Sequence, residues 1–249
     1  MLDLEKYIPT QRGNIPLILS VPHGGTITLD ILPDRTKGVL GTDKATINLT
    51  KELINHIEKR NSGKTCFIMS KIHRSKVDLN RSPVHAFPKD SELSKKVYEY
   101  FHSNLKELIE YNIQNFKRSL LIDIHGFEKD KRPPNFRDVD IILGTNNLKS
   151  LYSHSVPKKN WDKNIRGKLI KELLTLDLEI APGHPKRKEY VLKGGYITKK
   201  YGASSIGRSQ AMQIEFSDDI RLYKPGLRNK VLQVISSVLL DEMEGEIDT

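Results

Sequence analysis

Two histidines follow apolar segments of the chain, at points where a β-strand would end. His23 comes shortly after the segment 16–21 and is followed by two glycines, and His125 comes directly after the segment 119–124 and precedes a glycine. In α/β proteins the catalytic loops collect at the carboxyl ends of the strands. Packing alone does not readily explain two histidines at such positions, so both are expected to face a functional cleft.

Two carboxylates lie within the same kind of apolar segment. Asp123 stands two residues before His125, so the two side chains would share one face of a strand. Asp123 could orient an imidazole through its second nitrogen, cap a neighbouring helix or pair with a buried cation. Glu215 lies in the apolar segment 209–216, where an unpaired carboxylate is costly. A structural ion pair could explain Glu215 by itself, but beside two strand-end histidines a general base is the better interpretation.

A polar loop over residues 76–83 contributes a third group of candidates. Asp78, Asn80 and Arg81 occur within four residues of one another, and Arg74 lies just upstream. A guanidinium group that is held by neighbouring hydrogen bonds suits bidentate binding of a carboxylate. The alternative is an exposed loop with local hydrogen bonds between side chains and the backbone.

The hydrophobic pattern predicts elements that would place these residues at one edge of a sheet. Short apolar runs predict buried strands, and apolar residues at three- to four-residue spacing predict helices. This alternation predicts an α/β fold with a mostly parallel or mixed sheet flanked by helices. The predicted strands are 16–21, 65–70, 119–124, 139–143, 188–192 and 209–216, and the predicted helices are 43–59, 89–116, 161–174 and 225–243.

The composition is that of an ordinary soluble protein of 249 residues with a net charge of +10. We expect a cytoplasmic location, because there is no secretory signal, no long apolar run and a single cysteine, Cys66, in an apolar segment. The positive charge is spread along the chain and mixed with 31 acidic residues. Specific nucleic-acid binding is therefore not expected, whereas a small anionic substrate would be attracted.

Four short motifs in this order resemble the signature of the N-formylglutamate amidohydrolase family. They are VPHGG at 21–25, VDLNR at 77–81, DIHG at 123–126 and QIEFS at 213–217, and GGYITKKYG at 194–202 resembles a further family block. The matching segments span most of the chain. That family is in turn similar to the zinc carboxypeptidase and aspartoacylase group. The resemblance therefore implies a zinc-carboxypeptidase-like fold over a single amidohydrolase domain, 1–249.

The resemblance also implies roles for individual residues. His23 and His125 would be ligands of a zinc ion, and Glu215 would be the base that activates a water molecule. Arg74 would polarise the scissile carbonyl. Two residues, Asn80 and Arg81, would bind the carboxylate of the substrate. The carboxylates expected to support the metal ligands are Asp78 and Asp123.

One position departs from the pattern of the carboxypeptidase group. The residue three positions after the first histidine is Thr26, where that group has a glutamate ligand. Catalytic zinc commonly has three protein ligands, so a third one must come from elsewhere. Asp43 resembles an acidic residue that the formylglutamate family carries after this loop. The alternative for Asp43 is the N-cap of the helix that follows.

The implied activity is zinc-dependent hydrolysis of an N-formyl or N-acyl amide of an acidic amino acid such as glutamate. The first alternative is a zinc peptidase or deacylase that acts on another N-acyl amino acid or on a peptide. The second alternative belongs to another class, a basic nucleic-acid-binding module without catalysis. The chain has no Gly-x-Ser-x-Gly motif, no P-loop and no dinucleotide-binding glycine motif, which disfavours serine hydrolases and nucleotide-dependent enzymes.

Overall fold

A seven-stranded sheet forms the centre of the protein in the computed structural model, which describes residues 2–132 and 136–244. The remaining residues of the expected 1–249 domain lie outside the described part. The strands are β1 (Thr10–Gln11), β2 (Leu17–Val21), β3 (Cys66–Met69), β4 (Ser119–Phe127), β5 (Ile141–Gly144), β6 (Ile180–Ala181) and β7 (Ser209–Ser217).

The order of the strands across the sheet is β1-β3-β2-β4-β7-β5-β6. Strands β3, β2, β4 and β7 are parallel to one another, whereas β1 pairs with β3 and β5 pairs with β7 in the antiparallel direction. From β2 the chain crosses to β3 on one side and later returns to β4 on the other side. Such a reversal opens a crevice at the carboxyl ends of the two strands, and ligands bind there in α/β proteins. His23 and His125 lie at this crevice.

Helices cover both faces of the sheet, as the hydrophobic pattern predicts. Strand residues alternate between the faces, so Leu17 and Leu19 pack in one core while Ile18 packs in the other. The helices are α1 (Leu4–Tyr7), α2 (Thr46–Arg60), α3 (Pro83–Ala86), α4 (Glu92–Phe116), α5 (Ile165–Leu174), α6 (Tyr196–Tyr201) and α7 (Pro225–Glu244). The first core contains side chains from α2, α5 and α7, and the second contains side chains from α4 and α6.

One predicted strand is wrong. Residues 188–192 form a loop, because the Glu189 carboxylate accepts hydrogen bonds from the backbone N–H groups of Thr145 and Asn147, and the next three residues face outward. The helix predicted from residue 161 begins at Ile165, where Asn164 is the N-cap. Among the described residues, no helix has the length and apolarity that crossing a membrane requires.

His102 is a buried histidine on α4 that should make the fold sensitive to mild acid. Its Nδ1 lies 2.8 Å from the Tyr201 hydroxyl and its Nε2 lies 3.1 Å from the Leu79 carbonyl oxygen. Burial lowers the pKa of His102 to about 3, and the positive charge of Lys200 adds to this effect. The unfolded chain takes up this proton below about pH 6.5, but the folded chain stays neutral. Stability is therefore lost as the pH falls from about 6.5 towards 3.

We expect His102 to remove about 2 kcal/mol from the free energy of unfolding between pH 6.5 and pH 5. Urea denaturation at several pH values measures this loss in the wild type, and His102→Gln should lack it. His85→Gln, on the exposed part of α3, controls for the loss of a histidine. If the free energy of unfolding fell equally in His102→Gln and in the wild type between pH 6.5 and pH 5, His102 would not be the source of the acid sensitivity.

Candidate metal centre and catalytic cleft

His23 lies in the turn that follows β2, where the backbone passes very close to a neighbouring segment. A Cβ atom at Gly25 would be 2.2 Å from the carbonyl carbon of Lys71, so only glycine fits there. The turn leaves His23 almost fully buried, with Nε2 2.7 Å from Oδ1 of Asp78. The other ring nitrogen, Nδ1, is buried and has no hydrogen-bond partner within the described residues. Such an atom needs a partner, and a metal ion is one that would suit it.

His125 lies near the end of β4, and its ring is held in the same way. Its Nε2 is 2.8 Å from Oδ2 of Asp123, and Asp123 also accepts a hydrogen bond from the Ser20 hydroxyl on β2. Its Nδ1 is 3.0 Å from Oδ2 of Asp43. Both histidines thus have a carboxylate on Nε2 and direct Nδ1 towards Asp43. A carboxylate on the outer ring nitrogen is the usual support of a metal-bound histidine.

Asp43 lies beside both histidines because the segment before α2 is bonded to the His23 turn. Its backbone N–H donates to the His23 carbonyl at 2.9 Å, and the Thr42 hydroxyl donates to the same oxygen at 2.6 Å. Burial alone would raise the pKa of Asp43, but the hydrogen bond from His125 and the neighbouring His23 ring, whose Nδ1 lies 3.6 Å from Oδ2, hold it below its usual range. The N-cap of α2 is Ala45, so Asp43 does not have the capping role that the sequence left open.

The three side chains form a compact set of potential metal ligands. One ligand atom from each of His23, Asp43 and His125 lies within 4.8 Å of the other two, and all three residues are buried. Two imidazoles and one carboxylate are a common donor set for catalytic zinc. The unpaired Nδ1 of His23 and the carboxylates on both Nε2 atoms also fit a metal ion. Thr26, where the carboxypeptidase group has a glutamate, is exposed.

Glu215 lies next to this set because β7 pairs with β4, with His125 and Glu215 in register. It lines the same cleft, and its Oε1 accepts a hydrogen bond from Nε2 of Gln213 at 2.5 Å. Burial raises the pKa of Glu215, and the neighbouring charge of Asp43 raises it further against the opposing effect of His125. A raised pKa brings a carboxylate closer to neutral pH, where it can exchange protons.

Arg74 and Asp78 form a buried ion pair behind His23. Nε and Nη2 of Arg74 both lie 3.0 Å from Oδ2 of Asp78, and Nη1 lies 3.7 Å from Oδ1 of Asp43. Burial would raise the pKa of Asp78, but His23, Arg74 and Arg81 lower it. Asp78 therefore stays ionised and fixes both the imidazole and the guanidinium group.

Asn80 and Arg81 line the cleft in different ways. Asn80 is buried, accepts a hydrogen bond from the Ile197 N–H at 2.8 Å, and places Nδ2 3.0 Å from Nε2 of His125. The Arg81 side chain is 44% exposed, and its Nη1 donates to the Asn80 carbonyl. The structure thus leaves the Arg81 guanidinium accessible to a ligand and gives Asn80 contacts within the protein.

One cleft of about 770 Å³ is lined by seven of the candidate residues, His23, Asp43, Arg74, Asn80, Arg81, His125 and Glu215. Sequence reasoning missed the cleft-lining residue Gln213, and it missed Arg221, which packs against the cleft-lining Gly126. Gln213 stands two residues before Glu215 on the same face of β7, a spacing that could have identified it. Arg221 packs on Gly126, where a Cβ atom would be 2.3 Å from its Nε, and donates to the Phe127 carbonyl. Nothing local in the sequence places Arg221 there.

Asp123→Asn should weaken metal binding without removing a ligand. The amide cannot support the imidazole of His125 as the carboxylate does, so we expect about a 10- to 100-fold loss of affinity for zinc. Competition with a chromogenic chelator measures this loss. Asp162→Asn, at a surface ion pair with Lys171, is the matched control and should bind zinc as the wild type does. Equal affinities for Asp123→Asn and the wild type would contradict the assigned role of Asp123.

Comparison with solved structures shows which fold positions these residues. The crystal structure of N-formylglutamate amidohydrolase from Ralstonia eutropha JMP134 matches with a TM-score of 0.64 at 15% identity, over 94% of this chain and 97% of that chain. This chain has the fold of that amidohydrolase. A gene product of Agrobacterium tumefaciens matches with a TM-score of 0.60 at 15% identity, over 94% of this chain and 95% of that chain.

The match to the amidohydrolase structure confirms the predicted α/β architecture, a mixed β-sheet with helices on both faces. A predicted carboxypeptidase A of Shewanella denitrificans is more distant, with a TM-score of 0.47 at 12% identity over 92% of this chain and 58% of that chain. No protein-family profile matches the sequence, and no curated protein matches it significantly. At such low sequence identities a structural match shows a shared fold only, so the roles of individual residues rest on the geometry of the site.

Proposed function

We propose that this protein is a metal-dependent amidohydrolase that cleaves the N-acyl amide of an acidic amino acid. The observation that supports it is the buried set of His23, Asp43 and His125 with Glu215 beside it, in one cleft of an amidohydrolase fold. Zinc is the metal that we propose, because two imidazoles, one carboxylate and an open position form a typical catalytic zinc site. A bound zinc ion would supply Lewis acidity, which lowers the pKa of water and polarises a carbonyl group.

Glu215 is the proposed proton carrier. Its carboxylate accepts a proton from the attacking water as the water oxygen bonds to the carbonyl carbon of the amide. Glu215 then delivers this proton to the amide nitrogen as the C–N bond breaks, so the products are a carboxylic acid, which ionises in water, and a free amine. The hydrogen bond from Gln213 fixes the position of Glu215 for both transfers.

Arg74 and Arg81 are the proposed substrate-contacting cations. Asp78 holds Arg74 rigidly at the edge of the metal ligands, where the charge can stabilise a developing oxyanion. Arg81 is the more exposed of the two and is proposed to bind the side-chain carboxylate of the amino acid. Asn80 is proposed to assist Arg81, and its contacts with Ile197 and His125 make it a link between the carboxylate site and the metal ligands.

The proposal is tested by release of free amine from N-formyl-L-glutamate and its N-acetyl analogue by the zinc-loaded protein. N-formyl-L-glutamine has the same shape without the side-chain charge and serves as the matched substrate. We expect the acidic substrates to be hydrolysed with higher kcat/KM, and Arg81→Gln to reduce this preference about 10-fold or more, since a charge-assisted hydrogen bond contributes about 1.5–3 kcal/mol. Absence of amine release from every substrate, with zinc bound, would contradict the proposal.

A further inference from the structure

A loop that lines the cleft is anchored at both of its ends. At its start, the buried Glu189 carboxylate pairs with Nη1 of Arg166 at 2.7 Å and accepts the Thr145 and Asn147 N–H groups at 2.9 and 2.8 Å. At its end, the Gly195 N–H donates to Oε1 of Gln213 at 2.5 Å. The intervening backbone is thereby held in one position against the end of β5.

Two glycines let this loop lie directly on β5. A Cβ atom at Gly144 would be 2.4 Å from the backbone nitrogen of Gly194, and Gly194 itself has a φ of +98°. Side chains at either position would push the loop away from the strand or strain its backbone. The loop from Tyr190 to Gly195 is therefore a fixed wall of the cleft rather than a loose surface segment.

This wall presents apolar side chains to the solvent at the mouth of the cleft. Tyr190 is 80% exposed, Val191 is 55% exposed and Leu192 is 37% exposed, and all three line the cleft. Adjacent exposed apolar side chains on a rigid wall are typical of a ligand-binding surface.

The dimensions of the cleft also indicate a substrate larger than a formyl amide. The cleft volume of about 770 Å³ is in the range of pockets that enclose drug-sized ligands. With the amino acid carboxylate at Arg81 and the scissile amide at the metal ligands, a formyl group would leave the wall uncovered. A longer acyl group would reach it.

We infer that the Tyr190–Leu192 wall binds an apolar acyl group of the substrate, of about four carbons or more, on the side of the scissile amide opposite the amino acid. This inference rests on the proposed function, because it uses the same cleft and the same orientation of the amide. The substrate class is an N-acyl amino acid with an aliphatic or aromatic acyl chain and an acidic amino acid.

The test measures binding separately from turnover. Titration calorimetry with zinc-loaded Glu215→Gln compares N-formyl-, N-butanoyl- and N-hexanoyl-L-glutamate, which differ only in the acyl chain. Each buried methylene should raise affinity about two- to fourfold, so the hexanoyl compound should bind about 30-fold or more tightly than the formyl compound. Tyr190→Ala combined with Leu192→Ala, in the same background, should reduce this ratio about tenfold or more.

Tyr223→Ala provides the matched control, because Tyr223 is 66% exposed and is not among the cleft-lining residues. Tyr223→Ala should keep the ratio of hexanoyl to formyl affinity that the parent protein shows. Equal affinity for the formyl and hexanoyl compounds, or the same ratio in the Tyr190 and Leu192 double variant, would overturn the inference. If affinity rises with chain length but the wild type releases no amine from any compound, the inference stands and the proposed hydrolysis fails.

Discussion

Glu215→Gln should lower kcat by about 100- to 10,000-fold, the contribution typical of general acid–base catalysis. The side chain keeps its size and its place beside His125, but an amide cannot accept the proton from water or return it to the leaving amine. Because Glu215 is not among the proposed ligands, its replacement should leave about one zinc ion per chain. Amine release under substrate saturation, together with metal content, measures both effects.

The control for Glu215→Gln is Glu172→Gln, at an exposed position on α5, which should keep wild-type kcat. The KM for N-acyl glutamates should change little in Glu215→Gln, since the binding cations are intact. If Glu215→Gln retained a kcat near that of the wild type, another group would carry the proton and the assignment of Glu215 would be wrong.

Asp43→Ala should weaken zinc binding more than the 10- to 100-fold expected for the supporting carboxylate Asp123. Asp43 is the third proposed ligand, and its Oδ2 faces Nδ1 of both histidines at 3.0 and 3.6 Å. Its removal leaves only two protein ligands, fewer than a catalytic zinc site commonly has. The affinity can be measured by the same chelator competition, at a pH where the variant is folded.

Asn164→Ala is the control for a purely structural effect of replacing Asp43. Asn164 caps α5 by accepting a hydrogen bond from the Gly167 N–H. Its loss should cost about 1 kcal/mol of stability and leave zinc affinity unchanged. If Asp43→Ala showed this same pattern, Asp43 would be a structural residue and the third ligand would have to be found elsewhere.

Much of the fold could be predicted from the sequence because buried strands and amphipathic helices leave strong local patterns. The strand before His125 and the strand containing Glu215 are predicted correctly, but β4 continues to Phe127 and so includes His125, and its pairing in register with β7 brings the two residues together. The short elements β1, β6, α1, α3 and α6 were not predicted, because two to six residues carry little periodic signal. The error at 188–192 arose because apolar residues there face the cleft rather than a core.

The contacts of the candidate site that join residues far apart in the sequence could not be predicted from local patterns. Asp43 is 82 residues from His125, and only the family resemblance suggested it as a ligand. The carboxylate partner of His23 is Asp78, 55 residues away, a contact that no local pattern predicts. Likewise, the ion pair that anchors the cleft wall joins Arg166 on α5 to Glu189, 23 residues later in a loop.

The metal content of the purified protein is the most direct test of the central claim. Elemental analysis should find about one zinc ion per chain in the wild type, after incubation with zinc and removal of the excess. The double variant His23→Ala, His125→Ala should retain none under the same treatment, while circular dichroism reports whether it is folded. Zinc in the wild type and its loss from a folded variant would support the site. No bound zinc in the wild type, or equal zinc in the variant, would contradict it.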